Sequence, residues 1–256
     1  LKGFLNKVDY KSVIKKMRLN NGILWPIPIN LDVTEKFASK IKDSNKITLR
    51  DKEGFPLAIL TIEDIWKPDL NEESKLVYKT LSEKHPGVDY LLNICNKMYI
   101  GGVLEGISLP RHYDYSNYRH TPNQLKSIFS KLKWNKIIAF QTRNPLHRAH
   151  VEMTMRAIKE FEGNLLLHPA IGMTKAGDID HHIRVRCYEH AMNRYKKDTA
   201  LMSLLPLAMR MGGPKEALWH AIIRKNYGCT HLIIGRDHAG PGKDEKGNLF
   251  YGAYDS

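Results

Sequence analysis

The sequence has few cysteines and no long apolar segment. Its three cysteines, Cys95, Cys187 and Cys229, are widely spaced and odd in number. They match neither a paired metal or redox motif nor a disulfide framework, so we expect packing cysteines in a reducing compartment and a cytoplasmic protein. No stretch approaches the roughly 18 apolar residues that a membrane helix needs, so no membrane partner is expected.

Two common nucleotide-binding motifs are also absent. No GxxxxGK[ST] segment occurs, which excludes a P-loop, and no GxGxxG opens a strand–helix unit. His147 and His150 are three residues apart, but no HExxH motif or evident carboxylate accompanies them. His181 and His182 follow two aspartates in a polar segment, where a salt-bridge network or solvated side chains explain them better than a metal. The interpretation is that protein side chains hold no metal.

Acidic residues are scarce relative to basic ones. The chain has 27 Asp and Glu against 40 Lys and Arg, which gives a net charge of +13. A basic chain favours anionic partners, but there is no long basic run and no alternation of aromatic and basic residues. Small polyanions or a lysine-rich solvated surface explain the charge equally well. We therefore expect no nucleic-acid partner; a nucleic-acid-binding module would show salt-sensitive oligonucleotide binding.

The most informative stretch is residues 136–156, KIIAFQTRNPLHRAHVEMTMR. Apolar residues up to Phe140 predict a buried strand, Pro145 favours a turn, and helical periodicity begins near Val151. A turn that enters a helix exposes unpaired N–H groups and the positive end of the helix dipole, which suits an anion. Polar side chains crowd this turn: Gln141, Thr142, Arg143, Asn144, His147, Arg148 and His150. The pattern predicts a phosphate-binding site.

A second polar loop, Gly235–Gly242, follows the last predicted strand. Strands alternate with helices after Thr121, which predicts βαβ units and a parallel sheet. Ligands bind beyond the carboxyl ends of such strands, so the two polar loops should meet over one crevice. Before this region, short runs separated by turns, including Leu24–Ile29, predict a β-rich domain. We place the domains at residues 1–118 and 119–256.

The HRAH segment, His147–His150, resembles the HxGH signature of nucleotidyltransferases, with Ala149 in place of glycine. More widely, QTRNPLHRAH, TKAGDIDHHIRVR, LLPLAMRMGGPKEALWHAIIRKNYG and GRDHAGPG resemble the ATP sulfurylase (sulfate adenylyltransferase) family over nearly the whole chain. The resemblance implies an α/β protein. A β-rich, PUA-like N-terminal domain would precede a truncated, Rossmann-like parallel-sheet nucleotidyltransferase domain. It also implies a fragment that lacks both ends of the family's chain.

The resemblance further implies that ATP and sulfate are joined into adenosine 5′-phosphosulfate with release of pyrophosphate. The reaction would be an in-line displacement at the α-phosphorus without a covalent intermediate. The implied catalytic residues are Thr142, Arg143, Asn144, His147 and His150. The implied ATP-binding residues are Gln141, Thr142, Arg143, Asn144, Gly235, Arg236, Asp237 and His238. The implied sulfate contacts are Gln141, Arg143 and the backbone of Ala239.

Mg²⁺ is expected to enter with ATP, held largely by phosphate and water oxygens. The resemblance also implies a homo-oligomer. A related nucleotidyltransferase that uses a different acceptor remains the alternative.

Overall fold

Two structural units can be distinguished in the computed structural model, which describes residues 1–173, 177–244 and 246–252. Residues 1–112 and 242–250 form the first unit, and residues 113–241 with residues 251 and 252 form the second. The boundary expected after residue 118 stays a prediction, and the observed division lies a few residues earlier. The return of residues 242–250 to the first unit has no counterpart in the sequence pattern.

An antiparallel sheet forms the centre of the first unit. Its strands are β1 (Gly3–Phe4), β2 (Leu31–Val33), β3 (Lys46–Arg50), β4 (Pro56–Trp66) and β5 (Met98–Gly106). The strand order is β1-β5-β4-β3, and β2 also pairs with β5. Every one of these pairs is antiparallel. The β-rich character predicted for this part of the chain is confirmed.

Short helices accompany this sheet. They are α1 (Lys7–Lys16), α2 (Glu35–Lys40), α3 (Leu70–Val77) and α4 (Pro86–Asp89), the last continued by a π-helical turn at Tyr90–Ile94. The apolar face of α1 packs into the core through Tyr10, whose ring lies 5.6 Å from Trp66 and 5.8 Å from Tyr99. Such aromatic contacts add to the free energy gained by burying the rings.

The strand predicted at Leu24–Ile29 is wrong. Only Leu24 pairs, in an isolated bridge, and the nearest regular strand is β2, further along the chain. Pro26 and Pro28 explain the difference, because proline has no backbone N–H to donate to a neighbouring strand. The alternating apolar residues of this segment therefore mark burial without regular pairing.

Helices alternate with strands in the second unit, which begins with a 3₁₀ turn at Ser116–Tyr118. Its elements are α5 (Pro122–Lys131), β6 (Ile137–Phe140), α6 (Arg148–Phe161), β7 (Asn164–Leu167), α7 (His181–Met192), β8 (Ala200–Met202), α8 (Pro214–Asn226) and β9 (His231–Ile233). The strand order is β8-β7-β6-β9, and all three pairs are parallel. The predicted parallel sheet is confirmed, and it makes β6 and β9 direct neighbours.

The core of this unit lies on both faces of the sheet. On β7, Leu166 packs into a cluster with residues of α5, whereas Leu165 and Leu167 pack into a cluster with residues of α7. All three leucines are fully buried, which contributes roughly 1.5–3 kcal/mol for each side chain. A strand covered on both faces explains the uninterrupted apolar runs in the sequence. Among the described residues, none of the helices combines the length and apolar character needed to cross a bilayer.

Helix ends in the second unit follow local capping chemistry. Thr121 and Gln124 form a capping box at the start of α5. Helix α7 begins at His181, because the Asp180 carboxylate accepts a hydrogen bond from the backbone of the first turn. The polar residues of Gly172–His182 predict a loop, and part of this segment lies outside the described residues.

Candidate functional site

A cavity of about 420 Å³ lies beyond the carboxyl ends of β6 and β9. Its volume falls in the range typical of small-molecule sites, about 300–1,000 Å³. The loop after β6 and the loop after β9 both line it, because the two strands are neighbours and run in the same direction. The predicted site residues that line it are Gln141, Thr142, Arg143, Asn144, His150, Gly235, Asp237, His238 and Ala239.

Two predicted site residues lie outside this lining. Arg236 is exposed, although Gly235 and Asp237 on either side line the cavity. His147 lines a neighbouring cavity of about 560 Å³ between α6 and α7. The smaller cavity is the stronger candidate, because it lies at the carboxyl ends of the parallel strands, where ligands bind in this class of fold.

The turn after β6 is held by its own side chains. The Thr142 hydroxyl accepts a hydrogen bond from the Asn144 N–H at 3.0 Å and donates to the Asn144 carbonyl at 2.9 Å. The same carbonyl accepts the Tyr188 hydroxyl of α7 at 3.0 Å. Tyr188 is fully buried, and burial raises the pKa of its hydroxyl to about 12, so it stays a donor. Sequence reasoning missed Tyr188, whose position in α7 reads only as an apolar core position.

Gln141 and Arg143 bring buried polar groups to the cavity. The Gln141 side chain is 8% exposed, and its Oε1 atom has no hydrogen-bond partner among the described residues. A buried carbonyl oxygen without a partner is costly, so a ligand donor at this position would stabilise it. Arg143 donates through Nη1 to Asp178 Oδ1, and both side chains are largely buried. This ion pair fixes the orientation of the guanidinium group, a role that the sequence did not assign to Asp178.

His150 approaches the cavity from the first turn of α6. The backbone N–H of His147 donates to its Nδ1 atom at 3.2 Å. Nδ1 is therefore the unprotonated nitrogen, and the neutral ring carries its proton on Nε2. Burial lowers the pKa of His150, and so does the neighbouring His147. The ring is thus a neutral N–H donor at the positive end of a helix.

A buried chain of hydrogen bonds runs behind the cavity. His238 Nε2 lies 2.9 Å from His220 Nδ1, and His220 Nε2 lies 3.1 Å from Glu216 Oε1. The Glu216 carboxylate also accepts the backbone N–H groups of Arg210 at 2.9 Å and of Gly212 at 2.8 Å. Glu216 and His220 are fully buried. They are four residues apart on one face of α8, which is the signal that the sequence offered and that its analysis missed.

Burial strongly affects the protonation states of these hydrogen-bonded side chains. Burial alone would raise the pKa of Glu216, but the hydrogen bond from His220 and the two backbone N–H groups lower it overall. Burial lowers the pKa of His220, and it lowers that of His238 to about 4. Deeper in the core, burial lowers the pKa of Arg224 to about 9 and that of His168 well below its usual value. These imidazoles are neutral in the folded protein at neutral pH.

We expect the protein to lose stability as the pH falls from 7.5 to 5. The unfolded chain protonates its histidines near pH 6.5, whereas burial lowers the pKa of His168, His220 and His238 in the folded protein, so the unfolded state binds more protons. The stabilisation is complete above pH 6.5 and decreases towards pH 4. With a folded pKa of about 4, His238 alone lowers the free energy of unfolding by about 2 kcal/mol between pH 7.5 and pH 5.

Urea unfolding at the two pH values measures this change. His168→Leu is a matched variant, because it removes one buried imidazole whose ring nitrogens have no partner among the described residues. It should reduce the difference between the two pH values. A free energy of unfolding that is equal at pH 7.5 and pH 5 would contradict the neutral histidines.

A second polar cluster is formed by residues outside the cavity lining. Ligand atoms of Asp114, His181 and His182 lie within 4.8 Å of one another, an arrangement that could hold a metal ion. However, Arg119 donates to Asp114 at 2.6 Å and His181 lies 3.1 Å from the same carboxylate. The two imidazole rings are 4.0 Å apart. The contacts form a salt-bridge network, and the expectation of no metal held by protein side chains stays a prediction.

Comparison with known proteins gives concordant matches. The family model described as ATP-sulfurylase matches residues 116–256, and that of a PUA-like domain matches residues 1–109. The sulfate adenylyltransferases of Kluyveromyces lactis and Saccharomyces cerevisiae are both 54% identical over 256 residues. These matches cover all of this chain and 51% and 50% of the two relatives, so the chain spans about half the length of the curated relatives it matches.

A solved structure is similar as well. A hexameric APS kinase from Thiobacillus denitrificans matches with a TM-score of 0.76 and 31% identity, over 93% of this chain and 43% of that one. Together with the family models, the two sheets confirm the predicted fold class, a PUA-like domain followed by an α/β domain with a parallel sheet.

Proposed function

The chain belongs to the ATP-sulfurylase family, and from this premise we propose that it takes part in sulfate adenylylation. The adenylyl group of ATP passes to sulfate, giving adenosine 5′-phosphosulfate and pyrophosphate. One observation carries the proposal: two polar loops, from β6 and β9, line a single cavity at the edge of the parallel sheet where ligands bind.

The proposed step is an in-line displacement at the α-phosphorus. A sulfate oxygen forms the new P–O bond, and the bond to the bridging oxygen of the β-phosphate breaks, its electron pair leaving with pyrophosphate. Sulfate is a poor nucleophile and both reactants are anions, so positioning and electrostatics must supply the rate. The only hydroxyl among the predicted site residues, that of Thr142, is engaged with the Asn144 backbone, which supports a reaction without a covalent intermediate.

We assign sulfate to Gln141, Arg143 and the backbone of Ala239. The buried Oε1 atom of Gln141 accepts hydrogen bonds only, so Gln141 would bind sulfate through its Nε2 group, which now lies 3.9 Å from Met209 Sδ. The guanidinium of Arg143 offers a rigid fork of donors that suits a tetrahedral oxyanion, and Asp178 holds that fork in place. A fixed cation can offset the repulsion between sulfate and the phosphates.

We assign ATP to two segments, Gln141–Asn144 and Gly235–His238, with catalytic roles for Thr142, Arg143, Asn144, His147 and His150. The Nε2–H group of His150 is a neutral donor for charge that builds on the phosphates. Arg236 and His147 lie outside the cavity lining, so we propose that they contact parts of the nucleotide that extend beyond it.

Mg²⁺ is proposed as the ion that accompanies the nucleotide. Among the described lining residues, only Asp237 carries a carboxylate, which fits an ion that keeps phosphate and water ligands. When bound, Mg²⁺ would neutralise phosphate charge. Asp237 is the lining carboxylate that would hold it.

We also propose a homo-oligomer and a cytoplasmic location. The similar APS kinase from Thiobacillus denitrificans is hexameric, and the three cysteines of this chain are free thiols, as is common in reducing compartments. Light scattering coupled to size-exclusion chromatography measures the oligomeric state, and a monomeric mass would reject the proposed homo-oligomer.

The experiment that tests the function is pyrophosphate release from ATP. Because the chain spans about half the length of its relatives, the assay uses the complete gene product. Release should depend on sulfate, and molybdate, another tetrahedral oxyanion, should replace it. Release with neither anion but with a different acceptor would favour the related nucleotidyltransferase, and salt-sensitive oligonucleotide binding without turnover would favour a nucleic-acid module.

We expect Tyr188→Phe to lower kcat/KM for ATP about tenfold. The change removes the hydroxyl that holds the Asn144 carbonyl, so the turn that carries Thr142 and Arg143 becomes less well positioned. Steady-state kinetics measure the effect. Tyr195→Phe is the matched control, because it removes a similar hydroxyl that bonds Thr154 at 2.7 Å, away from the turn. Equal losses in the two variants would point to stability and contradict the positioning role.

A further inference from the structure

We propose that Glu216 and His220 are positioning residues for His238, forming a buried relay that fixes the tautomer and orientation of the His238 imidazole at the cavity. His238 lines the cavity, whereas Glu216 and His220 are fully buried behind it. The effect of the relay on turnover rests on the proposed function. The tautomer that it imposes does not, because it follows from hydrogen bonding alone.

The positions of the protons follow from the acceptor at the far end. Glu216 is an ionised carboxylate, so all of its hydrogen bonds are accepted ones. It accepts two backbone N–H groups, and the proton between it and His220 must therefore belong to His220 Nε2. The Nδ1 atom of neutral His220 is then a hydrogen-bond acceptor.

The same argument continues to the cavity. Because His220 Nδ1 accepts, the proton in the 2.9 Å contact belongs to His238 Nε2. The neutral His238 ring then has Nδ1 as its unprotonated nitrogen. Burial is the main reason that the pKa of both imidazoles is lowered; Arg224, also on α8, disfavours a proton on either ring, whereas the Glu216 carboxylate favours one without reversing the shift. The relay thus has one consistent arrangement of protons.

A carboxylate behind a histidine is a known way to hold an imidazole in one tautomer and one orientation. Here the carboxylate acts through a second imidazole. His220 connects Glu216, buried on α8, to His238 in the loop after β9. A ring held in this way meets the nucleotide without losing rotational freedom at that moment, so the relay should favour both binding and turnover.

Two substitutions of His220 test the relay. His220→Gln keeps one donor and one acceptor side by side, so it can bond both Glu216 and His238. His220→Leu keeps the approximate volume but removes both groups. His168→Leu is the matched control, since it removes another fully buried imidazole that does not line the cavity. All variants are made in the complete gene product.

Two readouts separate the relay from the proposed reaction. Histidine-selective ¹⁵N spectra, with the His238 signals identified by their loss in His238→Gln, report the tautomer without any turnover. We expect the Nε2–H form in the wild type and in His220→Gln, and a mixture in His220→Leu. In the sulfate-dependent assay, kcat/KM for ATP should fall roughly 10–100-fold in His220→Leu, recover in His220→Gln and stay unchanged in His168→Leu.

The outcomes are distinct. An unchanged His238 tautomer in His220→Leu, or a mixed tautomer in His220→Gln, overturns the relay. Equal losses of kcat/KM in His220→Leu and His168→Leu also overturn it, because they indicate general damage to the core. A wild-type protein that shows the Nε2–H form but releases no pyrophosphate would reject the proposed function and leave the relay standing. If His220→Leu does not fold, the tautomer in His220→Gln still decides.

Discussion

Arg143→Ala should lower kcat/KM for sulfate-dependent pyrophosphate release by about 10³-fold or more. The guanidinium is the fixed cation that we place beside sulfate, and removal of a comparable arginine or oxyanion donor costs about 10²–10⁵ in other enzymes. The loss should appear in kcat as well as in KM for sulfate, because the charge to be neutralised grows in the transition state. Initial-rate measurements of pyrophosphate release provide the test.

The ion pair with Asp178 makes a control necessary. Arg143→Ala removes the guanidinium that pairs with Asp178, whose side chain is 9% exposed, and breaking such a largely buried pair costs roughly 3–5 kcal/mol. The double variant Arg143→Ala/Asp178→Ala removes both charges, so it should regain stability without regaining activity. Arg143→Lys keeps the charge but loses the planar set of guanidinium donors, so its pyrophosphate release should remain impaired. Near-normal rates in a folded double variant would contradict the assignment of sulfate to this residue.

His150→Asn should lower kcat about 10²-fold with little change in stability. The asparagine oxygen can take the place of Nδ1 and accept the His147 N–H, so the start of α6 is preserved. The Nε2–H donor is lost, and removing one preorganised donor typically costs about 10²–10³ in rate. The measurement pairs single-turnover rates with thermal unfolding.

His147→Ala is the comparison for this variant. Its ring lies on the neighbouring cavity, so we expect a smaller loss of about tenfold, and a larger effect on catalysis than on folding. If His147→Ala were the more damaging of the two changes, His147 and not His150 would be the principal phosphate ligand. A large drop in melting temperature with activity retained would instead mean that both rings serve packing.

The parallel sheet could be predicted from the sequence because its signals are local. Apolar runs such as Ile137–Phe140 and the capping box at Thr121 depend on residues close together in the chain. The order of the strands then follows from topology, and it brings the loops after β6 and β9 together. This reasoning failed at Leu24–Ile29, where two prolines remove the donors that a regular strand needs.

The supporting contacts of the site could not be predicted in the same way. Asp178 pairs with Arg143 across 35 residues of chain, and no local pattern specifies that contact. The four-residue spacing of Glu216 and His220 is a local signal, but nothing local in the sequence places His238 beside them. Long-range polar pairs depend on tertiary packing, which periodicity and capping do not encode.

The adjacency of β6 and β9 also bears on how the protein folds. The cavity combines the loop after β6, the first strand of the parallel sheet in sequence, with the loop after β9, the last. Bringing the two loops together therefore carries the entropy cost of closing a long chain segment. Contacts between distant segments slow folding, and a chain without the β6–β9 pairing would lack the cavity. A ligand that binds only the closed sheet raises stability by mass action, so the nucleotide that we propose for this cavity would stabilise the native state.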